Sequence, residues 1–160
     1  MEGKTTRARR KAPRTASKGA PKRVKQGPGA GVLKKVLTSP KAALPIGPYS
    51  QAIQAGEFIF VAGEKGIDRE TGQIVPGGII PETRQTLENI RAILVEAGAT
   101  LDDAVASTVH MTDLSEFGEM NKVYAEYFRV MPPGRTTVQV PALPAGARIE
   151  ITITALLRRR

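Results

Sequence analysis

Two segments of the chain carry apolar residues at helical spacing. Within residues 82–97 the steps are 3, 4 and 3, at Leu87, Ile90, Leu94 and Ala97. Gly98 directly after this stripe is a residue type that ends helices. The same steps recur in a second segment, from a capping Asp113 or Ser115 to about Phe128, at Phe117, Met120, Tyr124 and Tyr127. Both patterns predict helices with one apolar face.

Alternating and β-branched stretches around these helices predict six strands. The strands are residues 32–37, 51–55, 58–62, 104–111, 135–140 and 148–156. Gly56 and Glu57 fit a tight hairpin turn between the second and third strands. The order β-β-β-α-β-α-β-β indicates an α+β domain, with one sheet and both helices on one of its faces.

The last strand indicates what the opposite sheet face carries. Its side chains alternate between Ile149, Ile151 and Ile153 on one side and Glu150, Thr152 and Thr154 on the other. A sheet face that no helix covers is either wet or buried inside an oligomer. Because the sheet also carries Val and Leu, we expect an oligomer.

Charge divides the chain into two parts. Residues 1–35 hold 12 Lys/Arg and one acid, whereas residues 36–160 hold 12 Lys/Arg and 14 acids. All seven aromatic residues follow residue 47. A basic segment without aromatic residues cannot bury enough apolar area to offset the entropy of ordering. We therefore predict a disordered basic tail over residues 1–31 and a near-neutral domain over residues 32–157.

Three interpretations of the tail stay open. Residues 1–35 could contact nucleic acid or another polyanion through charge alone. They could target an organelle, although five Gly and three Pro suit an amphipathic targeting helix poorly. They could also have no evolved role, for example if the translation start of the protein has been assigned too far upstream.

Composition excludes several classes of site. The chain has no cysteine and a single histidine, His110, which excludes disulfide scaffolds, thiolate zinc sites and multi-histidine metal sites. No apolar run approaches the length of a membrane span, and no apolar signal core follows the basic start. We expect a cytoplasmic protein without membrane contact or metal sites of these kinds, in which His110 is structural or lies at the surface.

Arg135 is the most informative single residue. It follows Pro132-Pro-Gly134 at the start of a strand, so its backbone is rigidly aimed. If this strand pairs with the last one, Arg135 and Glu150 share one polar patch. Two interpretations stay open: a plain structural ion pair, or a guanidinium that grips a substrate carboxylate beside a carboxylate that activates water.

Three segments together resemble the Rid family of reactive-intermediate deaminases, also called the translation-inhibitor or endoribonuclease-like family. They are residues 46–52 (IGPYSQA), residues 121–128 (NKVYAEYF), and residues 132–138 (PPGRTTV) followed by Ile149-Glu-Ile151. Their order and spacing agree over residues 33–156. The resemblance implies a chorismate-mutase-like fold of the bacillus type, a six-stranded mixed sheet in a homotrimer with a barrel-like core.

The resemblance also implies an activity. Rid proteins hydrolyse enamines and imines such as 2-aminoacrylate and 2-iminopropionate to a 2-keto acid and ammonia, in clefts between subunits and without a cofactor. Carried over by residue, Arg135 would hold the substrate carboxylate and Glu150 would activate water. The backbone around Thr137 would complete the contacts, and Thr137 itself replaces a cysteine that the family often has there.

The same resemblance implies three substrate-binding positions. Tyr49 would close the cleft, Asn121 would line it, and Gly63 would allow a close backbone approach. Glu64 departs from the family's usual pattern and adds a carboxyl group near the cleft. Two other functions stay open. The chain could be a nucleic-acid-associated protein, ribonuclease-like or translation-modulating, that uses its basic tail. It could also be a small-molecule sensor on the same trimer, which binding without turnover would indicate.

Overall fold

The computed structural model describes residues 34–157. The predicted tail over residues 1–31 lies outside the described residues, so its interpretations stay predictions. The six strands are β1 (Lys35–Leu37), β2 (Ala52–Ala55), β3 (Phe58–Glu64), β4 (Ala104–Met111), β5 (Gly134–Gln139) and β6 (Ile149–Leu156). The two α-helices are α1 (Ile79–Glu96) and α2 (Phe117–Tyr127). The predicted order of elements is confirmed.

The strands form one mixed sheet in the order β1-β2-β3-β6-β4-β5. Only β4 and β5 are parallel, because α2 connects them as a crossover; the other neighbours are antiparallel. The conditional pairing of the Arg135 strand with the last strand is wrong. Strand β4 lies between β5 and β6 and pairs with both.

Both helices pack on one face of the sheet, as predicted. Leu87, Ile90 and Leu94 of the predicted α1 stripe are fully buried, and so are the alternating isoleucines of β6: Ile149, Ile151 and Ile153. The α2 stripe is buried only in part, since Met120 and Tyr124 lie in the core while Phe117 stays exposed at the start of the helix. Neither described helix has the length and apolarity that a membrane crossing requires.

Helix α1 begins three residues before its predicted start. Gly78, at a φ of 87°, turns the chain into the helix at Ile79, and its carbonyl accepts the N–H of Glu82. Pro81 lies in the first turn, where no backbone donor is needed. At the other end, Gly98 takes a φ of 81°, the left-handed conformation that ends helices. The predicted stop is therefore confirmed.

The start of α2 also differs from its simplest prediction. Asp113 is the capping residue, since its Oδ1 accepts the N–H of Ser115 at 2.8 Å. It caps a short 3₁₀ turn, Leu114–Glu116, that leads directly into α2. This turn places Phe117 at the first position of the α-helix, with its ring near Arg135 of β5.

The face of the sheet away from the helices carries exposed apolar side chains. Phe58 and Phe60 of β3 are 44% and 47% exposed, and their ring centroids lie 6.2 Å apart. Val36 of β1 and Val138 of β5 are exposed as well. Apolar side chains exposed on three strands of one sheet face form the kind of surface that another protein chain covers.

Candidate functional site

Arg135 extends from β5 to the helix face of the sheet. Its guanidinium donates a 2.7 Å hydrogen bond to Oδ1 of Asn121 on α2. The guanidinium carbon also lies 4.5 Å from the ring centroid of Tyr124 and 5.6 Å from that of Phe117. These neutral partners hold the guanidinium in place through a hydrogen bond and cation–π contacts.

The positive charge of Arg135 is not compensated within the described part of the chain. The ion pairs among residues 34–157 are formed by other side chains, and none includes Arg135. The structural ion pair with Glu150, one of the two interpretations above, is therefore absent there. A half-buried guanidinium without a carboxylate partner is suited to bind an anionic ligand.

Two open cavities flank this guanidinium. One, of about 470 Å³, is lined by Leu114, Phe117, Arg135 and Thr137. The other, of about 480 Å³, is lined by Asn121, Tyr124, Ala125, Phe128, Pro132, Pro133 and Arg135. Thr137 lies on the same sheet face, and its buried Oγ1 has no hydrogen-bond partner among the described residues. We call Asn121, Arg135 and Thr137 the arginine half-site.

Glu150 lies on β6 and points to the face away from the helices. Its Oε2 is 2.6 Å from Nζ of Lys65, and its Oε1 is 3.9 Å from Nδ1 of His110. The start of β6 is fixed from the other side of the sheet by Glu82, whose Oε1 accepts the backbone N–H of Arg148 at 2.6 Å. Burial raises the pKa of Glu82.

Gly63 lies directly against the carboxylate of Glu150. A Cβ at residue 63 would be 2.6 Å from the carboxyl carbon of Glu150 and 2.8 Å from Oε1. Real Cβ atoms do not come that close, so a side chain at residue 63 would displace the carboxylate. The resemblance implied that the backbone at Gly63 approaches another group closely, and in the structure that group is the carboxylate of Glu150.

Tyr49 reaches the same place from the proline-rich loop. Buried Gln51 ties this loop down: its Oε1 accepts the N–H of Ser39 at 2.7 Å, and its Nε2 donates to the carbonyl of Ala43 at 2.7 Å. A cavity of about 420 Å³ joins the loop to the sheet and is lined by Ile46, Tyr49, Ala62, Gly63, Lys65, Pro144 and Glu150. We call Tyr49, Gly63, Lys65 and Glu150 the glutamate half-site.

Glu64 is buried behind the glutamate half-site. Burial raises its pKa from the ordinary 4.5 to about 7, the nearby Lys65 opposes this rise, and the charge of Glu150 adds to it. Glu64 therefore changes its charge near neutral pH, next to the ion pair of Lys65 and Glu150.

The two half-sites do not meet within one chain. Arg135 contacts α2 on the helix face, whereas Glu150 alternates with core isoleucines and points to the other face. Arg135 is in register with Ser107 of β4, and Glu150 is in register with His110. They are thus about 10 Å apart across two strand spacings and about 10 Å apart along the strands. The single polar patch expected from sequence does not form within one chain.

Sequence reasoning missed three neighbours of these residues. Lys65 was not considered, although it follows Glu64 directly. Tyr124 and Phe117 were assigned only to the apolar stripe of α2, although both rings contact the guanidinium of Arg135. Tyr124 follows Asn121 by three residues, so the two share one face of α2, and this spacing could have indicated that the ring lies near Arg135.

His110, predicted to be structural or at the surface, lies beside Glu150. Residues 34–157 contain no cluster of His, Asp and Glu that could hold a metal ion.

Comparisons with known proteins agree on one family. A family model described as Endoribonuclease L-PSP matches residues 40–157. A RutC family protein of Pyrococcus abyssi is 52% identical over 122 residues, which are 76% of this chain and 96% of that protein. A Mus musculus protein named 2-iminobutanoate/2-iminopropanoate deaminase is 42% identical over 125 residues, 78% of this chain and 93% of the relative.

A solved structure extends the likeness to the fold. The crystal structure of E. coli TdcF with bound serine is 35% identical and matches with a TM-score of 0.74, over 78% of this chain and 99% of that one. The residues matched by the family model include both half-sites. The chain belongs to the Endoribonuclease L-PSP family, the family of the Rid proteins.

Proposed function

We propose that this protein hydrolyses small 2-imino and enamine carboxylates to 2-keto acids and ammonia, without a cofactor. The reaction takes place in clefts between the subunits of a homotrimer. Each cleft combines the arginine half-site of one subunit with the glutamate half-site of the next. Family membership and the name of the mouse relative support this activity.

The observation that carries the proposal is the uncompensated guanidinium of Arg135. It is held by the amide of Asn121 and two aromatic rings, beside open cavities, with no carboxylate partner among the described residues. A planar guanidinium of this kind binds a carboxylate through two parallel hydrogen bonds. Every 2-imino acid offers that carboxylate next to its reactive carbon.

The chemistry then needs one oriented water molecule. Glu150 accepts a proton from the water while the water oxygen bonds to the imine carbon. The electron pair of the C=N bond moves to the nitrogen, which then takes up the proton from Glu150. Transfer of the new hydroxyl proton to nitrogen breaks the C–N bond, releases ammonia and leaves the 2-keto acid. The backbone around Thr137 contacts water and substrate, and Tyr49 closes the cleft over them.

The separation of the half-sites explains why an assembly is part of the proposal. Arg135 and Glu150 lie on opposite faces of one sheet, so one chain cannot bring both to the same substrate. The exposed phenylalanines of β3, Phe58 and Phe60, lie on the face that also carries Glu150. Packing these faces together in a trimer would bury apolar area and bring a second chain to Glu150. Native mass spectrometry at micromolar concentration measures the assembly, and a monomer would contradict it.

A coupled assay tests the activity. Threonine dehydratase supplies the imine from serine or threonine, and semicarbazide competes for it. We expect the protein to lower semicarbazone formation and raise the rate of 2-keto acid formation, whereas Arg135→Ala does neither. A wild-type protein that leaves the semicarbazone yield unchanged would contradict the proposed function.

The family description favours one second candidate, a ribonuclease or RNA-associated function. The segment that would supply most of the charge for it, residues 1–35, lies outside the described residues apart from Lys34 and Lys35. RNA cleavage by the full chain that persists in Arg135→Ala, together with no effect on the imine, would support this candidate over the deaminase.

A further inference from the structure

Lys65 makes two contacts in the glutamate half-site that neither sequence pattern nor resemblance indicated. Its Nζ lies 2.6 Å from Oε2 of Glu150 and donates a 3.0 Å hydrogen bond to the carbonyl oxygen of Gly63. The Lys65 side chain is only 6% exposed, and that of Glu150 is 20% exposed. A buried ammonium group thus connects the candidate catalytic carboxylate to the backbone beneath it.

Two contacts restrict the carboxylate of Glu150. Lys65 occupies Oε2, and the backbone of Gly63 lies against the carboxyl carbon. Oε1 is left without an ion pair to lysine or arginine among the described residues. Oε1 lies 3.9 Å from Nδ1 of His110, a buried atom without a hydrogen-bond partner in that part of the chain. Glu150 therefore has one bound oxygen and one available oxygen.

We infer that Lys65 is a positioning residue for Glu150: it fixes the orientation of the carboxylate and leaves Oε1 to face the reacting water. This inference rests on the proposed function, in which Glu150 activates water. Lys65 acts through Glu150, because its ammonium group is directed to Glu150 and to the carbonyl of Gly63.

Lys65 carries the one ammonium or guanidinium group that is ion-paired with Glu150 among residues 34–157. The other titratable groups around this carboxylate are His110 of β4, Tyr49 of the proline-rich loop and, behind Lys65, Glu64. Without Lys65, Oε2 of Glu150 loses its ion pair, and the carboxylate is held only by its contact with the backbone of Gly63. A carboxylate that can rotate no longer presents one oxygen to water at a fixed place.

Two variants and a control test the inference in the coupled assay. Lys65→Met removes the charge and keeps the length of the side chain, and Lys65→Arg keeps a charged donor. Lys41→Met is the control at an exposed lysine that lines none of the three cavities of the half-sites. For Lys65→Met we expect kcat to fall about 10-fold or more, with KM changed less than about 3-fold because Arg135 still binds the carboxylate. Lys65→Arg recovers part of kcat, and Lys41→Met matches the wild type.

Two results would overturn the inference while the wild type stays active. One is a Lys65→Met variant with wild-type kcat and KM in the coupled assay. The other is a mass adduct on Lys65 after borohydride reduction with substrate, since that makes the lysine a nucleophile instead of a positioning residue.

A second measurement does not depend on activity. Crystal structures of the wild type and of Lys65→Met at one pH compare the Glu150 carboxylate directly. We expect it to lose in the variant the single orientation that Nζ of Lys65 fixes at 2.6 Å. An unchanged orientation of the Glu150 carboxylate in Lys65→Met would overturn the inference even if the imine proved not to be a substrate. Inactivity of the wild-type protein, by contrast, bears on the proposed function alone.

Discussion

The two half-sites balance their charges in opposite ways. The arginine half-site holds a cation with an amide and aromatic rings and leaves its charge open, whereas the glutamate half-site holds an anion with a buried cation at 2.6 Å. An open charge is suited to bind a charged ligand, and a compensated charge is suited to stay ionised and oriented at a fixed place. In the proposed function, the first region binds the substrate and the second acts on it.

Removing the uncompensated charge of Arg135 has the largest expected effect on activity. Arg135→Ala deletes the carboxylate anchor, and we expect a loss of about 2–4 kcal/mol of transition-state binding, or about 30- to 1,000-fold in kcat/KM. The coupled imine assay measures it. Arg84→Ala is the matched control, because Arg84 forms an exposed ion pair with Glu126, and its activity stays at the wild-type level.

A methyl group at Gly63 tests the geometry of the second region without changing any charge. The Cβ of Gly63→Ala would be 2.6 Å from the carboxyl carbon of Glu150, so the carboxylate moves by most of an ångström. We expect kcat to fall roughly 100-fold, because a displacement of about 1 Å in an enzyme active site can reduce the rate by that factor. Gly118→Ala on α2 meets no atom within 4 Å and leaves activity unchanged. Equal activity of the two variants would show that the position of Glu150 does not matter.

The buried carboxyl group of Glu64 makes the stability of the folded protein depend on pH. Its pKa is raised from 4.5 to about 7 by burial, so its contribution to stability is full below about pH 4.5 and is lost as pH rises through about 7. Relative to Glu64→Gln, the free energy of unfolding of the wild type therefore falls by about 2–3 kcal/mol between pH 5 and pH 8. Denaturant unfolding of both proteins at one concentration measures this. A constant difference between them would contradict the buried, titrating Glu64.

The smallest effect is expected at Thr137. Its proposed contacts use the backbone, and its Oγ1 has no hydrogen-bond partner among the described residues. Thr137→Cys and Thr137→Val therefore change kcat/KM by less than about 3-fold. A larger loss in Thr137→Val alone would indicate that the hydroxyl group binds the substrate.

Alternation along single strands was sufficient to predict the faces of the sheet. It assigned Ile149, Ile151 and Ile153 to the core and Glu150 to the open face, as observed. It could not predict which strands are neighbours, because the pattern within a strand contains no information on its partner. Strand β4 between β5 and β6 is therefore the reason why Arg135 and Glu150 do not share one patch.

Irregular backbone limited the prediction of the glutamate half-site. Strand β3 shifts its register against β6 between Val61 and Glu64, and a bulge of this kind ends the simple alternation of faces. The direction of Lys65, just after the bulge, could not be deduced from its position in the sequence. The family resemblance identified Gly63 and Glu150 but carried no information on a lysine next to them.

The central claim is that each site combines Arg135 of one chain with Glu150 of another, and mixed trimers test it most directly. Arg135→Ala and Glu150→Gln chains, each nearly inactive alone, are co-expressed with different tags and purified by both tags. In every such trimer one of the three clefts contains both intact residues, so we expect about a third of wild-type activity. Mixed trimers no more active than the two parent variants would contradict the shared site.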